Sequence, residues 1–224
     1  MKKLANLKNL ETRLIPRFKN MIALALLFAA AFRIDAQESQ ILPGTTKQHS
    51  ISLELDPAPF MLNGYSFSAR YNNKQWPHWS IMASAFAADF PNNMVSDLNQ
   101  ENGWKDLKFI FSKAIFIDYH FKSSGKGLFV GPSLFMYNIE AMNTVAGRTV
   151  SFKTAYPNFR IGYTWYPFRK LNLYLTPWLN MGKEFRTGKS DQFEGTAYQP
   201  EKFKYIPALH LGYCYSFGKQ NPSK

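Results

Sequence analysis

The last strand-like segment constrains this chain most. Read in twos, Phe203 to Phe217 places Phe203, Tyr205, Pro207, Leu209, Leu211, Tyr213, Tyr215 and Phe217 on one face. Lys204, Ile206, Ala208, His210, Gly212, Cys214 and Ser216 fall on the other. A strand this long with one wholly apolar face is unusual for a soluble sheet. It suits a wall whose outside touches lipid and whose inside touches water.

The beginning of the chain points to export. Lys2, Lys3, Lys8, Arg13, Arg17 and Lys19 form a basic leader, and Met21 to Phe32 is an apolar run. Ile34, Asp35 and Ala36 offer a cleavage site before Gln37. This is the pattern of a secretory signal peptide, and the run is too short to span a bilayer as a helix. Initiation at Met1 or at Met21 fits the pattern equally. The chain reads as a signal peptide over 1–36, a periplasmic lead-in over 37–48, a barrel over 49–217 and a short tail over 218–224.

The formal net charge is +12, and the leader holds seven basic and two acidic residues, so the exported part keeps about +7. That excess is scattered through turns and loops, as at Lys74, Lys122, Lys126, Arg169 and Lys170. No basic helix or aromatic–basic motif suggests nucleic acid. Anionic headgroups of outer-membrane lipid and lipopolysaccharide are the expected partners of such charge. Cys214 is the sole cysteine, so no intrachain disulfide and no cysteine metal site can form. Mean hydropathy is −0.30, which excludes a bundle of membrane helices but not alternating strands.

Seven further segments read as strands, most of them with a period of two. Ile51, Leu53 and Leu55 alternate with Ser50, Ser52 and Glu54, and Tyr65, Phe67, Ala69 and Tyr71 with Ser66, Ser68 and Arg70. Trp79–Phe90 is a weaker third segment. Leu107–Phe121 sets Ile115, Ile117, Tyr119 and Phe121 against Phe116, Asp118 and His120. Leu128–Glu140 carries apolar residues on both faces. Val150–Tyr166 sets Phe159, Ile161, Tyr163 and Trp165 against Asn158, Arg160 and Thr164, and Leu171–Phe185 sets Leu173, Leu175, Leu179 and Met181 against Tyr174, Thr176, Trp178 and Asn180. The expected fold is all-β, an eight-stranded antiparallel up-and-down transmembrane β-barrel.

The connections support that order. Asn72–Pro77, Lys122–Gly127 and Pro167–Lys170 are short, whereas Asp56–Leu62, Pro91–Asp106, Asn143–Thr149 and Arg186–Glu201 are mostly longer and polar. Short inner turns and longer outer loops alternate in this way in membrane barrels. Asn63-Gly64 also allows a tight hairpin turn, against Pro57 and Pro59, which interrupt a continuous strand. Trp76 and Trp79 flank the first inner turn, and Trp165, Tyr166 and Phe168 the third, where an aromatic girdle is expected.

These features resemble the small eight-stranded outer-membrane barrels of Gram-negative bacteria, the class that includes OmpA-type transmembrane domains. The segments Leu55-Asp56-Pro57, Asn63-Gly64-Tyr65-Ser66, Gly127-Leu128-Phe129-Val130-Gly131-Pro132, Ile161-Gly162-Tyr163, Thr176-Pro177-Trp178 and His210-Leu211-Gly212-Tyr213 also resemble a looser group of uncharacterised outer-membrane barrel proteins. The resemblance implies an outer-membrane location and brings no activity with it. Barrels of this class usually end in an aromatic residue. Here Phe217 takes that position, with seven residues after it.

Alternation places Glu54, Arg70, Asp118, His120, Asn158, Arg160, Trp178, Asn180, Glu184 and His210 inside. Glu54, Arg70, Asp118, His120, Arg160, Glu184 and His210 form an expected polar network, since unpaired charge in a lumen is costly. Counted from the turns, Arg70 and Asp118 lie near the periplasmic ends of their strands, and Arg160 and His210 nearer mid-height. The expected protein is a monomeric, non-enzymatic barrel with a structural role or an extracellular partner at its outer loops. Met94, Val95, Leu98 and Trp104 of the second outer loop are the residues such a partner would meet. No cofactor and no metal are expected; Asp118 and His120 share a face but have no third ligand by spacing.

Two alternatives remain open. A periplasmic lipocalin-like barrel would bind an apolar ligand with the facing reversed. A lipid A acyl hydrolase or acyltransferase would need a histidine–serine pair or an outer-loop triad. Leu211 and Gly212 follow His210, and Phe121 and Lys122 follow His120, so neither supplies the serine.

Overall fold

The computed structural model describes residues 49–122, 125–168, 171–187, 197–200 and 203–217. The expected signal peptide, lead-in and tail lie outside them. Among the described residues nine strands form: β1 (His49–Leu55), β2 (Tyr65–Asn72), β3 (Trp79–Asp89), β4 (Trp104–Lys122), β5 (Lys126–Asn143), β6 (Arg148–Phe168), β7 (Leu173–Gly182), β8 (Phe185–Thr187) and β9 (Lys204–Phe217). From β1 to β7 each pairs antiparallel with the next, β7 pairs with β9, and β9 closes on β1. The result is a closed barrel of eight staves. The short β8 continues the seventh stave past Lys183 and Glu184 and pairs with the outer part of β6. Among the described residues no helix is long and apolar enough to cross a membrane, so any crossing is made by strands.

The registers fix the tilt. Stepping across the sheet from Ser50 leads to Asn72, Ser80, Asp118, Gly131, Arg160, Asn180 and Ile206. The pair Leu55↔Leu211 places Ile206 level with chain position 60 on the β1 line, ten residues beyond the start. Ten residues of about 3.3 Å, set against eight strands about 4.8 Å apart, give a tilt of about 40°.

The apolar rows face outward. Leu53 and Tyr205 are each 65% exposed, and Phe67, Ile81, Ile115, Phe159 and Tyr213 share that outer surface. Arg70, Asp118, Arg160 and His210 are buried inside. On β9 the outer apolar row from Tyr215 to Tyr205 climbs about 25 Å, the height of the apolar band on a membrane barrel. Above it the outward positions turn polar at Lys113, Asn138, Lys153 and Lys183. The ambiguous strands settle on one rule each. β3 turns Ser80 and Met82 inward, and β5 turns Phe129, Ser133, Phe135 and Tyr137 inward.

Two connections differ from the sequence reading. Residues 143–149 form no long loop, because β5 and β6 pair without interruption from Gly127↔Thr164 to Asn143↔Arg148 and project beyond the apolar band. The first outer connection is a short helix, α1 (Pro57–Met61), with the Asp56 side chain capping the Ala58 amide at 2.9 Å. In the second outer loop a one-turn helix, α2 (Asp97–Glu101), is capped by Ser96.

Candidate functional site

The lumen gathers the polar side chains into one layer. Arg70 donates from Nε to Glu54 Oε1 at 2.5 Å and from Nη1 to Asp118 Oδ2 at 2.5 Å. Arg160 grips the same Asp118 with two bonds, Nε to Oδ1 at 2.7 Å and Nη2 to Oδ2. Glu54 accepts in addition from the Tyr174 hydroxyl at 2.6 Å and lies 2.7 Å from His210 Nδ1. Ser80 accepts from Arg70 at 2.9 Å and meets His120 Nε2 at 3.1 Å. Two guanidinium groups thus face two carboxylates, and bidentate pairing is what lets such charge persist away from water.

Counting residues from the inner turns separated Arg70 and Asp118 from Arg160 and His210. The structure brings all four together. The strand tilt raises each successive stave by about 3 Å, so residues at different distances from their turns reach one level. Gly131 makes the junction possible. A Cβ there would stand 1.9 Å from the Ile117 carbonyl oxygen, so only glycine lets β4 and β5 close up between Asp118 and Arg160. Gly212 serves Tyr174 likewise: a Cβ would lie 2.2 Å from that ring.

Glu184 stands apart from this layer. It accepts from Thr154 and pairs with Lys204, the residue level with Gly182 across β7 and β9. Asn158 accepts from Ser133, and Asn180 from the Tyr156 hydroxyl at 3.2 Å. Trp178 is buried in the core and crosses His210 edge-on.

The lumen is less polar than alternation alone suggested. The Arg160 guanidinium lies 4.0 Å from the centre of the Phe116 ring, with Phe129 at 5.2 Å and Trp178 at 5.6 Å. Above it Phe86, Phe116, Phe135, Tyr137, Tyr156 and Trp178 pack ring against ring. At the outer mouth Trp104, Phe152 and Tyr198 form a second aromatic cluster. Parity could have found Tyr174, Phe116 and Phe129. Reading interior positions as polar hid the aromatic layers.

The residues expected at the girdle take different positions. Trp76 and Trp79 are exposed, and Trp79 packs on Tyr119 at 5.1 Å. His49 stacks between Tyr71 and Phe217 at the same rim. Trp165 lies on the outward row, half-buried. Tyr166 departs from the expectation: it falls on the inward parity and packs on Tyr174 at 5.1 Å. The Phe168 side chain lies outside the described residues. Tyr163 is on the outward row yet buried.

The second outer loop is tied down. Asn99 donates to the Gln199 carbonyl at 2.8 Å and accepts from its amide at 2.9 Å. Val95 and Trp104 are buried, leaving Met94 and Leu98 exposed for any partner. Among the described residues no three potential ligands gather for a metal, and Asp118 is occupied by two arginines.

No family model matches the chain, and no curated protein matches it. Among solved structures it is similar to the N-terminal β-barrel domain of Pseudomonas aeruginosa OprF, at 14% identity over 75% of this chain and 98% of that one, with a TM-score of 0.43. It is similar to a major outer membrane protein from Thermus thermophilus, at 11% identity over 75% and 99%, TM-score 0.41. The Yersinia pestis outer membrane protein Ail matches at 13% identity over 76% and 99%, TM-score 0.36. No residue role passes from these proteins to this chain.

Proposed function

We propose that this chain is a non-enzymatic outer-membrane barrel, sealed through its lumen, that acts through the outer extension of β4–β6 and the loops beside it. The observation that carries the proposal is the inverted polarity. The exterior is an apolar band about 25 Å tall with aromatic residues at its inner rim, and the charged groups are neutralised inside. A lipocalin-like barrel needs the reverse facing. Interior packing at Phe116, Phe129 and Trp178 argues for a barrel that does not conduct.

Loops on a rigid scaffold are where such a barrel meets other molecules. The extension carries outward Lys105, Lys113 and Lys153, basic groups suited to lipopolysaccharide phosphates, beside Lys108, which pairs with Asp89 at 3.4 Å. Exposed Met94 and Leu98 add an apolar spot beside it.

Reconstitution tests the reading. The purified chain should stay soluble only with detergent or lipid, migrate differently on gels before and after boiling, and give no defined conductance steps in planar bilayers. Recovery as a soluble protein without detergent, or a stable ion channel, refutes it.

A further inference from the structure

Among the described residues the wall closes between β1 and β9 over only part of the length of β9. The β1–β9 pairing ends at Leu55↔Leu211, whereas β9 continues to Lys204, paired on its other edge with β7 throughout. Among the described residues the edge of β9 from His210 to Lys204 therefore has no strand beside it within the outer half of the apolar band. Odd-numbered β9 residues turn their backbone groups to this edge, because the even-numbered Cys214 amide donates the other way, to Asn172. Pro207, which lacks an amide hydrogen, sits where a strand edge tolerates it. The helix α1 lies over this edge, packing on β2, β3 and β9, with Phe60 and Met61 exposed.

Three buried donors sit on β6 and β7, the strands that follow this edge of β9 around the barrel. Arg160 Nη1, Trp178 Nε1 and Asn180 Nδ2 have no hydrogen-bond partner among the described residues. Their side chains are buried almost completely. They are cross-strand neighbours: Arg160 pairs with Asn180, Asn180 with Ile206, and Trp178 with Ala208. Ile206 and Ala208 belong to the stretch of β9 that has lost β1. Both face inward and are only half-buried, as are Ser84 and Phe86 on β3, and Phe86, Ile206 and Ala208 pack against the buried core. Such orphaned donors are costly unless something accepts from them.

We infer that the notch beneath α1 admits a long-chain carboxylate from the membrane, its oxygens accepting from Arg160, Trp178 and Asn180 and its chain running out past Ile206 and Ala208. Every orphan in the cluster is a donor and one is cationic, which selects an anionic acceptor. The notch lies at the depth of acyl chains, so an apolar tail reaches the site without crossing water. The inference rests on the membrane reading above.

The test uses the full chain in detergent micelles, with the fluorescent fatty acid cis-parinaric acid as probe. Saturable binding is expected, displaced by palmitate but not by the parinarate methyl ester or by diacyl phospholipid. Trp178→Phe and Asn180→Ala should each weaken binding by about tenfold or more, the loss expected for a hydrogen bond to a charged group. Ala208→Trp should block the passage and abolish binding. Heat-modifiable mobility of each variant reports that the barrel is intact. A folded wild type that shows no saturable binding overturns the inference and leaves the membrane reading standing. Equal affinity in the three folded variants also overturns it, as does equally tight binding of the methyl ester or of phospholipid.

Discussion

Replacing Asp118 by Asn should be among the most damaging single changes in this barrel. The carboxylate is fully buried and holds Arg160 through two bonds and Arg70 through a third. An amide keeps one acceptor oxygen and loses the negative charge. Arg70 retains its bond to Glu54, but among the described residues Asp118 is the carboxylate that bonds Arg160. Removing one partner of a buried ion pair costs about 3–5 kcal/mol, because the remaining charge is left without compensation. The cost should appear as a lowered midpoint in urea unfolding of the folded protein in lipid vesicles, followed by tryptophan fluorescence. The double variant Asp118→Asn/Arg160→Met removes the stranded charge as well. It should recover at least about 1.5 kcal/mol relative to additive single losses, a coupling within the range measured for contacting residues. A loss below about 1 kcal/mol for Asp118→Asn, or strict additivity in the cycle, would show that water reaches the layer and that the network does not hold the barrel.

Leu53→Arg puts a charge within the inner half of the apolar band on the outer face, where 65% of the residue is exposed. It should cost about 2–4 kcal/mol in bilayers and far less in detergent, read as a difference in unfolding free energy between the two. Gly212→Val forces a side chain into the Tyr174 ring and should break its bond to Glu54, lowering stability by about 1–3 kcal/mol; an unchanged urea midpoint refutes the close fit. Asn99→Ala removes both bonds to Gln199 and should speed proteolysis within the second outer loop while leaving the barrel's heat-modifiable mobility unchanged.

The wall was legible in the sequence because alternation survives wherever one face meets lipid and the other does not. Phe203–Phe217, Ile51–Leu55 and Ile115–Phe121 carry that signal cleanly. β5 does not, since its inward Phe129, Phe135 and Tyr137 are as apolar as its outward residues. The inner positions Glu54, Arg70, Asp118, Arg160 and His210 could be named from parity, but not their partners. Pairing depends on the ten-residue offset around the barrel, a property of all the registers together. The break in the first stave follows from Asp56 and Pro57, which begin a helix. No local pattern says that the neighbouring β9 continues without it.

The unequal staves also bear on how the barrel forms and opens. β5 and β6 are joined by the tight turn at residues 144–147 and zip along their whole length, a pairing with little loop entropy to overcome. β1 and β9 meet over only His49–Leu55, and the chain between them is nearly the entire barrel. The hairpins should therefore assemble early and the β1–β9 seam last, with the seam also the first line to part. Amide exchange in the folded protein should run fastest along β1 and the adjoining edge of β9, and slowest at the centre of β5.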